Sequence, residues 1–341
     1  MKVLAALLAF TALAAPAMGN DTMSTLGAGG LVFIQTEQVR MVREDLYVSP
    51  EQVRVKYEFH NESETDATSL VAFPLPDITG SGDFMVAIPT VDPKNIFGFE
   101  TRVNGEPVNT ELHQYAFATN IDYTQYLVDL GIPLAPFGDD TVKAINALDD
   151  ATKKELQHRA LVIPMEYDAG QGMQTEYWPT WTLRSTYSWE AHFPAGETVM
   201  VEHSYKPSVG GTVAVSFLGE PYEGYDPAAE YKKKYCTDDS FVNAVRKTLP
   251  NPNEPWGAPF TESWISYIWS TGANWAGNVG TFHLTIDKVL PQNLVSFCWD
   301  GEVKKTGPTT FEMEAKDWWP PYGRELEILI LNRQDPEPTV G

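Results

Sequence analysis

The chain has 341 residues, with 24 Lys+Arg against 46 Asp+Glu, a formal charge of −22 at pH 7. Neutralising phosphates takes a basic face, so this balance excludes a general nucleic-acid binder. With 43% hydrophobic and 21% charged residues the chain is no disordered polymer, and its length suits two domains. Its 25 Gly, 25 Pro and 12% aromatic residues fit a turn-rich β protein.

The N-terminus reads as a secretory leader. Lys2 precedes the apolar run Val3 to Ala15, and Ala17 and Gly19 stand at positions −3 and −1 of a cut before Asn20. The run is shorter than the roughly 20 residues that cross a bilayer, and no later stretch approaches that length. The expected mature protein is exported, periplasmic or secreted, with no membrane span. Cys236 and Cys298, the chain's two cysteines, are then expected to pair in the oxidising compartment.

Beyond the leader, period-two alternation marks strands with one buried face. In Val53 to Phe59 the odd positions are apolar and Arg54, Lys56 and Glu58 lie between them. Phe97, Phe99 and Val103 lead into Asn104-Gly105, a dipeptide suited to a type I′ hairpin. Helical signals fill residues 120–162: Asp139 or Asp140 caps a helix with Val142 and Ile145, and Asp149 or Asp150 caps another with Leu156. Tyr187 to Phe193 and Val199 to Tyr205 then read as a hairpin. Its expected register sets Phe193 against Val199 and Trp189 against His203, with Glu190 facing Glu202 on the outer side.

Past a boundary expected near residue 215, a short helix follows Asp238-Asp239. Strand patterns return at Ser263 to Trp269, Thr281 to Val289, Leu294 to Trp299, Thr310 to Ala315 and Glu325 to Leu331. The expected architecture is mainly β: a β-sandwich domain over 20–215 with a helical insertion at about 120–162, a second β domain over 216–335, and a loose tail over 336–341.

Gly29-Gly-Leu-Val-Phe33, Glu44 to Pro50, Val53 to Asn61 and Ala72-Phe-Pro-Leu-Pro-Asp77 together resemble the bacterial DUF4424 family, a domain of unknown function. His203-Ser-Tyr-Lys-Pro207, Tyr235-Cys236, Ser270 to Trp275 and Phe297-Cys298 extend the resemblance over the mature chain in order. It implies an exported protein and supplies no catalytic residues. Phe59-His-Asn61, Phe73-Pro-Leu-Pro76, Asn104-Gly105 and Phe193-Pro-Ala-Gly-Glu197 are similar to the VIT domain, which implies a β-sandwich.

No G-x-S-x-G elbow, phosphate loop or G-x-G-x-x-G fingerprint occurs, so no catalytic residue or cofactor is assigned. The six histidines show neither H-x-H nor H-x-x-x-H spacing, no metal site is assigned, and His203 reads as a core histidine. Two carboxylate arrangements are weighed for a cation, the Glu190/Glu202 pair and the loop from Asp77 to Asp83, whose oxygens alternate with glycines. Trp178, Trp181, Trp318 and Trp319 stand beside prolines and are the candidate binding aromatics. The reading favoured is a non-enzymatic envelope module that binds a protein or glycan through loop aromatics. A hydrolase of envelope polymers built on paired carboxylates is the alternative.

Overall fold

The computed structural model describes residues 20–334 apart from 28–29, 83–84, 91, 93, 169, 171 and 223. The expected leader over 1–19, Asp83 and the tail over 336–341 lie outside the described residues.

The fold is mainly β. Eight strands form the largest sheet, in the order Lys304–Lys305, Thr310–Trp318, Val279–Asp287, Val39–Val48, Val53–Asn61, Thr198–Tyr205, Glu100–Val103 and Glu106–Val108. Its neighbours are antiparallel except Val279–Asp287 against Val39–Val48, so strands from either side of residue 215 share hydrogen bonds. A seven-stranded sheet around Ala67–Pro74 and Thr182–Phe193, and a five-stranded sheet around Phe260–Tyr267 and Leu326–Arg333, cover its inner face.

The alternation in Val53–Asn61 is realised: Val53, Val55, Tyr57 and Phe59 are buried, while Arg54 and Lys56 face solvent. Rings from the three sheets interlock in the core, with Phe59 tilted on Trp275 at 4.2 Å and Phe99 stacked on Tyr187 at 4.3 Å. The Asn104-Gly105 hairpin forms with φ of 51° and 84° at its two central residues, the left-handed pair that a type I′ turn requires.

The expected hairpin between Thr182–Phe193 and Thr198–Tyr205 does not form. The turn after Phe193 carries the chain from one sheet to the facing one: Phe193 pairs with Ala67, and Val199 with Phe59. Both strands turn their apolar residues into one core, so the same periodicity suits a hairpin and a sandwich corner alike. Trp189 and His203 do meet, with ring centroids 4.9 Å apart, but across the core rather than along a sheet.

Helices Thr124–Asp129, Asp139–Asn146 and Asp150–His158 make the insertion and bury Leu127, Ile145 and Leu156. The Asp149 carboxylate caps the last by accepting from the Ala151 and Thr152 amides, whereas Gly138, not Asp139 or Asp140, holds the cap position of Asp139–Asn146. The short helix expected after Asp238-Asp239 forms as Asp239–Arg246, with Asp238 as its cap. Helix Pro227–Tyr235 has no counterpart among the sequence expectations; Asp226 caps it, and it ends at Cys236 in the left-handed conformation, φ 56°. Cys236 and Cys298 are joined by a disulfide with Cα atoms 5.1 Å apart, which ties this helix to the five-stranded sheet.

Candidate functional site

A single extra residue organises the centre of the large sheet. Along Val39–Val48 the buried positions are Val39 and Met41, then Glu44, Leu46 and Val48, because a bulge shifts the register between Met41 and Arg43. The bulge turns Glu44 inward and Asp45 outward. Gly280 on the parallel neighbour makes room for it: a Cβ there would lie 2.5 Å from the Val42 carbonyl oxygen. The adjacent strands repeat this division, Lys56 outside and Tyr57 inside, Glu202 outside and His203 inside.

Outside, the charges line a trough of about 420 Å³ that crosses five strands, with Asp45, Tyr47, Arg54, Lys56, Arg102 and Glu202 among its walls. Lys56 Nζ meets Glu202 at 2.9 Å, and Arg43 grips Asp45 through two 2.6 Å hydrogen bonds. The Arg54 guanidinium lies 4.3 Å over the Tyr47 ring, whose hydroxyl donates to Asp287 at 3.0 Å. His283 Nδ1 stands 3.4 Å from Asp45 and also borders a smaller hollow toward the sheet edge, beside Glu302 and Lys304. The walls therefore offer both charge signs on a rigid surface. The volume is that of a small-molecule or short-peptide site.

Inside, directly behind the trough, lies a polar cluster at the junction of the three sheets. Asn20, Asp21, Glu44 and Tyr57 are fully buried. The Asn20 amide donates to Glu44 Oε2 at 3.0 Å, the Tyr267 hydroxyl to Glu44 Oε1 at 3.3 Å, and the Tyr57 hydroxyl to Asn20 Oδ1. His203 Nε2 is 3.1 Å from Asp21 Oδ1, and its Nδ1 is 2.9 Å from the Thr101 hydroxyl. Burial pushes the Glu44 carboxyl up to about 8 and raises Asp21 as well, the latter opposed by His203. Burial likewise raises Glu262, which accepts from the Tyr231 hydroxyl at 2.5 Å and from the Ser216 amide at 2.6 Å.

The residues singled out from sequence do not gather in one place. Trp181 is wholly buried and forms the core of the helical insertion, its indole N–H donating to the Leu134 carbonyl at 2.7 Å; it is no exposed anchor. Trp178 is half-buried and donates to Glu176 at 2.8 Å. Trp318 stacks on Phe282 at 4.1 Å, while Trp319, in the extended segment before Pro320, is 52% exposed. Glu190 faces Leu70 in the seven-stranded sheet, so the predicted Glu190/Glu202 pair is not made, and Glu202 is neutralised by Lys56 instead. Asp77 is held by Arg184 through contacts of 3.3 and 3.2 Å, an ion pair that occupies the carboxylate proposed for a cation; its partner Asp83 is not among the described residues. Among the described residues no group of three His, Cys, Asp or Glu side chains is placed to hold a metal ion.

Sequence reasoning missed both Glu44 and the trough. The bulge breaks the period that would have revealed an inward carboxylate, and the trough assembles from strands far apart in the chain. One signal was available: Arg54, Lys56, Glu202 and Arg102 all sit at the polar positions of alternating strands.

These features define a mainly β, disulfide-bonded sandwich protein with a charged trough on its largest sheet. The chain belongs to the family described as domain of unknown function DUF4424, whose profile matches residues 19–329. Among solved structures it is similar to a candidate nutrient-binding protein of Legionella pneumophila, at 13% identity and a TM-score of 0.46, over 92% of this chain and 70% of that one. No curated protein sequence matches it. No helix among the described residues is long and apolar enough to cross a membrane.

Proposed function

We propose that the protein is an exported, non-enzymatic binding module of the cell envelope that takes a polar ligand carrying both charge signs, a short peptide in the simplest case, in the trough of its large sheet. The observation that carries this reading is the trough itself: about 420 Å³, walled by Arg54, Lys56 and Arg102 together with Asp45 and Glu202 on adjoining strands. Such walls present ammonium and carboxylate partners at fixed spacing, so little ordering cost falls on the protein when a ligand binds. A peptide suits them better than a neutral glycan, because Arg54 covers the one aromatic face, Tyr47, on which a sugar ring would stack.

The sequence points instead to loop aromatics. Trp181 lies in the core and Trp318 stacks on Phe282, which leaves Trp319 as the better-exposed member of the expected set and places it on a loop outside the trough. The export part of the reading rests on the leader-like residues 1–19 and is supported by the disulfide. The test is a thermal-shift panel on protein recovered from the envelope, using amino acids, di- to pentapeptides and oligosaccharides. Peptides should raise the melting temperature, and charge-neutral sugars should not. Stabilisation by neutral sugars alone, or turnover of a panel member, would overturn the reading.

A further inference from the structure

Asn20, Asp21 and Thr22 lie wholly inside the fold, all three without exposed surface. The strand that begins at Thr22 fixes their position. Thr22 pairs with Ala72 and Met23 with both Val71 and Ile34, so residue 20 must enter the junction of the sheets. There the Asn20 backbone nitrogen bonds the Thr271 hydroxyl oxygen, and the same hydroxyl donates to the Asn20 carbonyl at 2.6 Å. The Trp275 indole closes over the segment by donating to the Asp21 carbonyl at 2.6 Å.

The charges in this enclosure do not balance. Two carboxyls, Asp21 and Glu44, are buried there with one group able to carry positive charge, His203, which is engaged by Asp21. Among the described residues the hydrogen-bond partners of Glu44 are neutral, the Asn20 amide and the Tyr267 hydroxyl. A buried carboxylate without a cation is costly, and a protein escapes that cost by protonating it or by supplying the cation.

We infer that the missing cation is the chain's own α-amino group, and that Glu44 and Thr271 form a capture site for a new N-terminus at Asn20. This rests on the export reading, in which the leader is cut before Asn20. Hydrolysis of the Gly19–Asn20 bond gives the hydroxyl of water to the Gly19 carboxyl and its hydrogen to the Asn20 nitrogen. That nitrogen takes a further proton at neutral pH and becomes an ammonium. The atom that changes is the one already held by Thr271, on the residue whose side-chain amide meets Glu44 Oε2 at 3.0 Å. An ammonium there favours the ionised form of Glu44 and reverses the upward push of burial. The other titratable groups facing the site are Tyr57, Tyr267, Asp21 and His203, with Asp45 on the adjoining position of the same strand. Processing would thus do more than release the protein: it would lock the N-terminal strand into the sandwich through a buried ion pair.

The experiment uses protein recovered from the envelope. Its intact mass locates the cut, and a start at a residue other than Asn20 would overturn the processing on which the inference rests. Given a start at Asn20, an amine-acylating reagent at neutral pH should modify the terminus of the folded protein about 100-fold more slowly than that of the unfolded chain, since reaction requires opening. Equal rates would overturn the capture alone. In Glu44→Gln the terminus should react about 10-fold faster than in the parent while surface lysines are unchanged, and Glu44→Asp should restore much of the protection. Should Glu44→Gln not fold, Thr271→Val is read the same way. Protection that survives loss of either group overturns the assignment.

Discussion

The two faces of the large sheet carry nearly the same side-chain chemistry under opposite conditions. Asp45, Lys56 and Glu202 look outward from positions adjacent in sequence to Glu44, Tyr57 and His203, which look inward. Outside, Lys56 pairs with Glu202 and Asp45 with Arg43 at the solvent-facing surface, so any one pair contributes little to stability. Inside, Asn20, Asp21, Glu44, Tyr57, Tyr267 and His203 each hold a named partner, and losing that partner leaves a desolvated group behind. The outer face is therefore suited to recognition and the inner face to holding the fold in one arrangement.

The largest expected effect separates them at once. His203→Ala strips Asp21 of its partner and opens a cavity beneath Phe73 and Trp189, and should cost about 3–5 kcal/mol by denaturant unfolding. Lys56→Ala, on the outer face of the same sheet, is the natural control at under about 1 kcal/mol.

Cys236→Ser should cost about 2–4 kcal/mol, less than the loss of His203, because it releases one helix from the five-stranded sheet and leaves the three-sheet junction intact. Non-reducing peptide mapping of the parent should recover the two cysteines linked; two free thiols would remove the basis of this estimate.

Gly280→Ala probes how the two faces are kept apart. Its methyl group would collide with the Val42 carbonyl at the bulge that sends Glu44 inward and Asp45 outward, for about 1–3 kcal/mol of destabilisation by thermal melt. A neutral outcome would mean that the bulge tolerates movement and does not fix the division.

The smallest effect is a pH slope. Burial raises the Glu262 carboxyl above its ordinary 4.5, so the folded chain holds a proton that the unfolded chain releases. Its contribution is greatest below pH 4.5 and falls as pH rises through the raised folded value. Glu262→Gln should flatten that part of the stability–pH curve, measured by urea unfolding at a series of pH values.

Legibility in the sequence tracks the range of the interactions. Alternation in Val53 to Phe59, the Asn104-Gly105 turn, the Asp149 cap and the helix after Asp238 depend on neighbours a few residues away, and they are found where the sequence placed them. Sheet membership depends on partners far along the chain, such as Leu284 beside Leu46, and no local pattern encodes it. That is why Thr182–Phe193 and Thr198–Tyr205 read as a hairpin although they belong to facing sheets. Trp181 misled for a related reason: its proline-flanked loop suggested exposure, but Leu127, Ile145 and Leu156 needed a large apolar partner and found it there. Glu44 was hidden by a one-residue bulge, which inverts the strand phase without altering composition.

Recognition is proposed to belong to the trough and not to the loop aromatics. The most direct measurement is calorimetric titration of the best peptide from the panel into the parent protein, an Arg54→Ala, Arg102→Ala double variant, and Trp319→Ala. Binding in the double variant should be about 100-fold weaker, roughly 2.7 kcal/mol, with its melting temperature and the affinity of Trp319→Ala both unchanged. Full affinity in the double variant, with binding lost in Trp319→Ala, would contradict the proposal and return recognition to the loop aromatics.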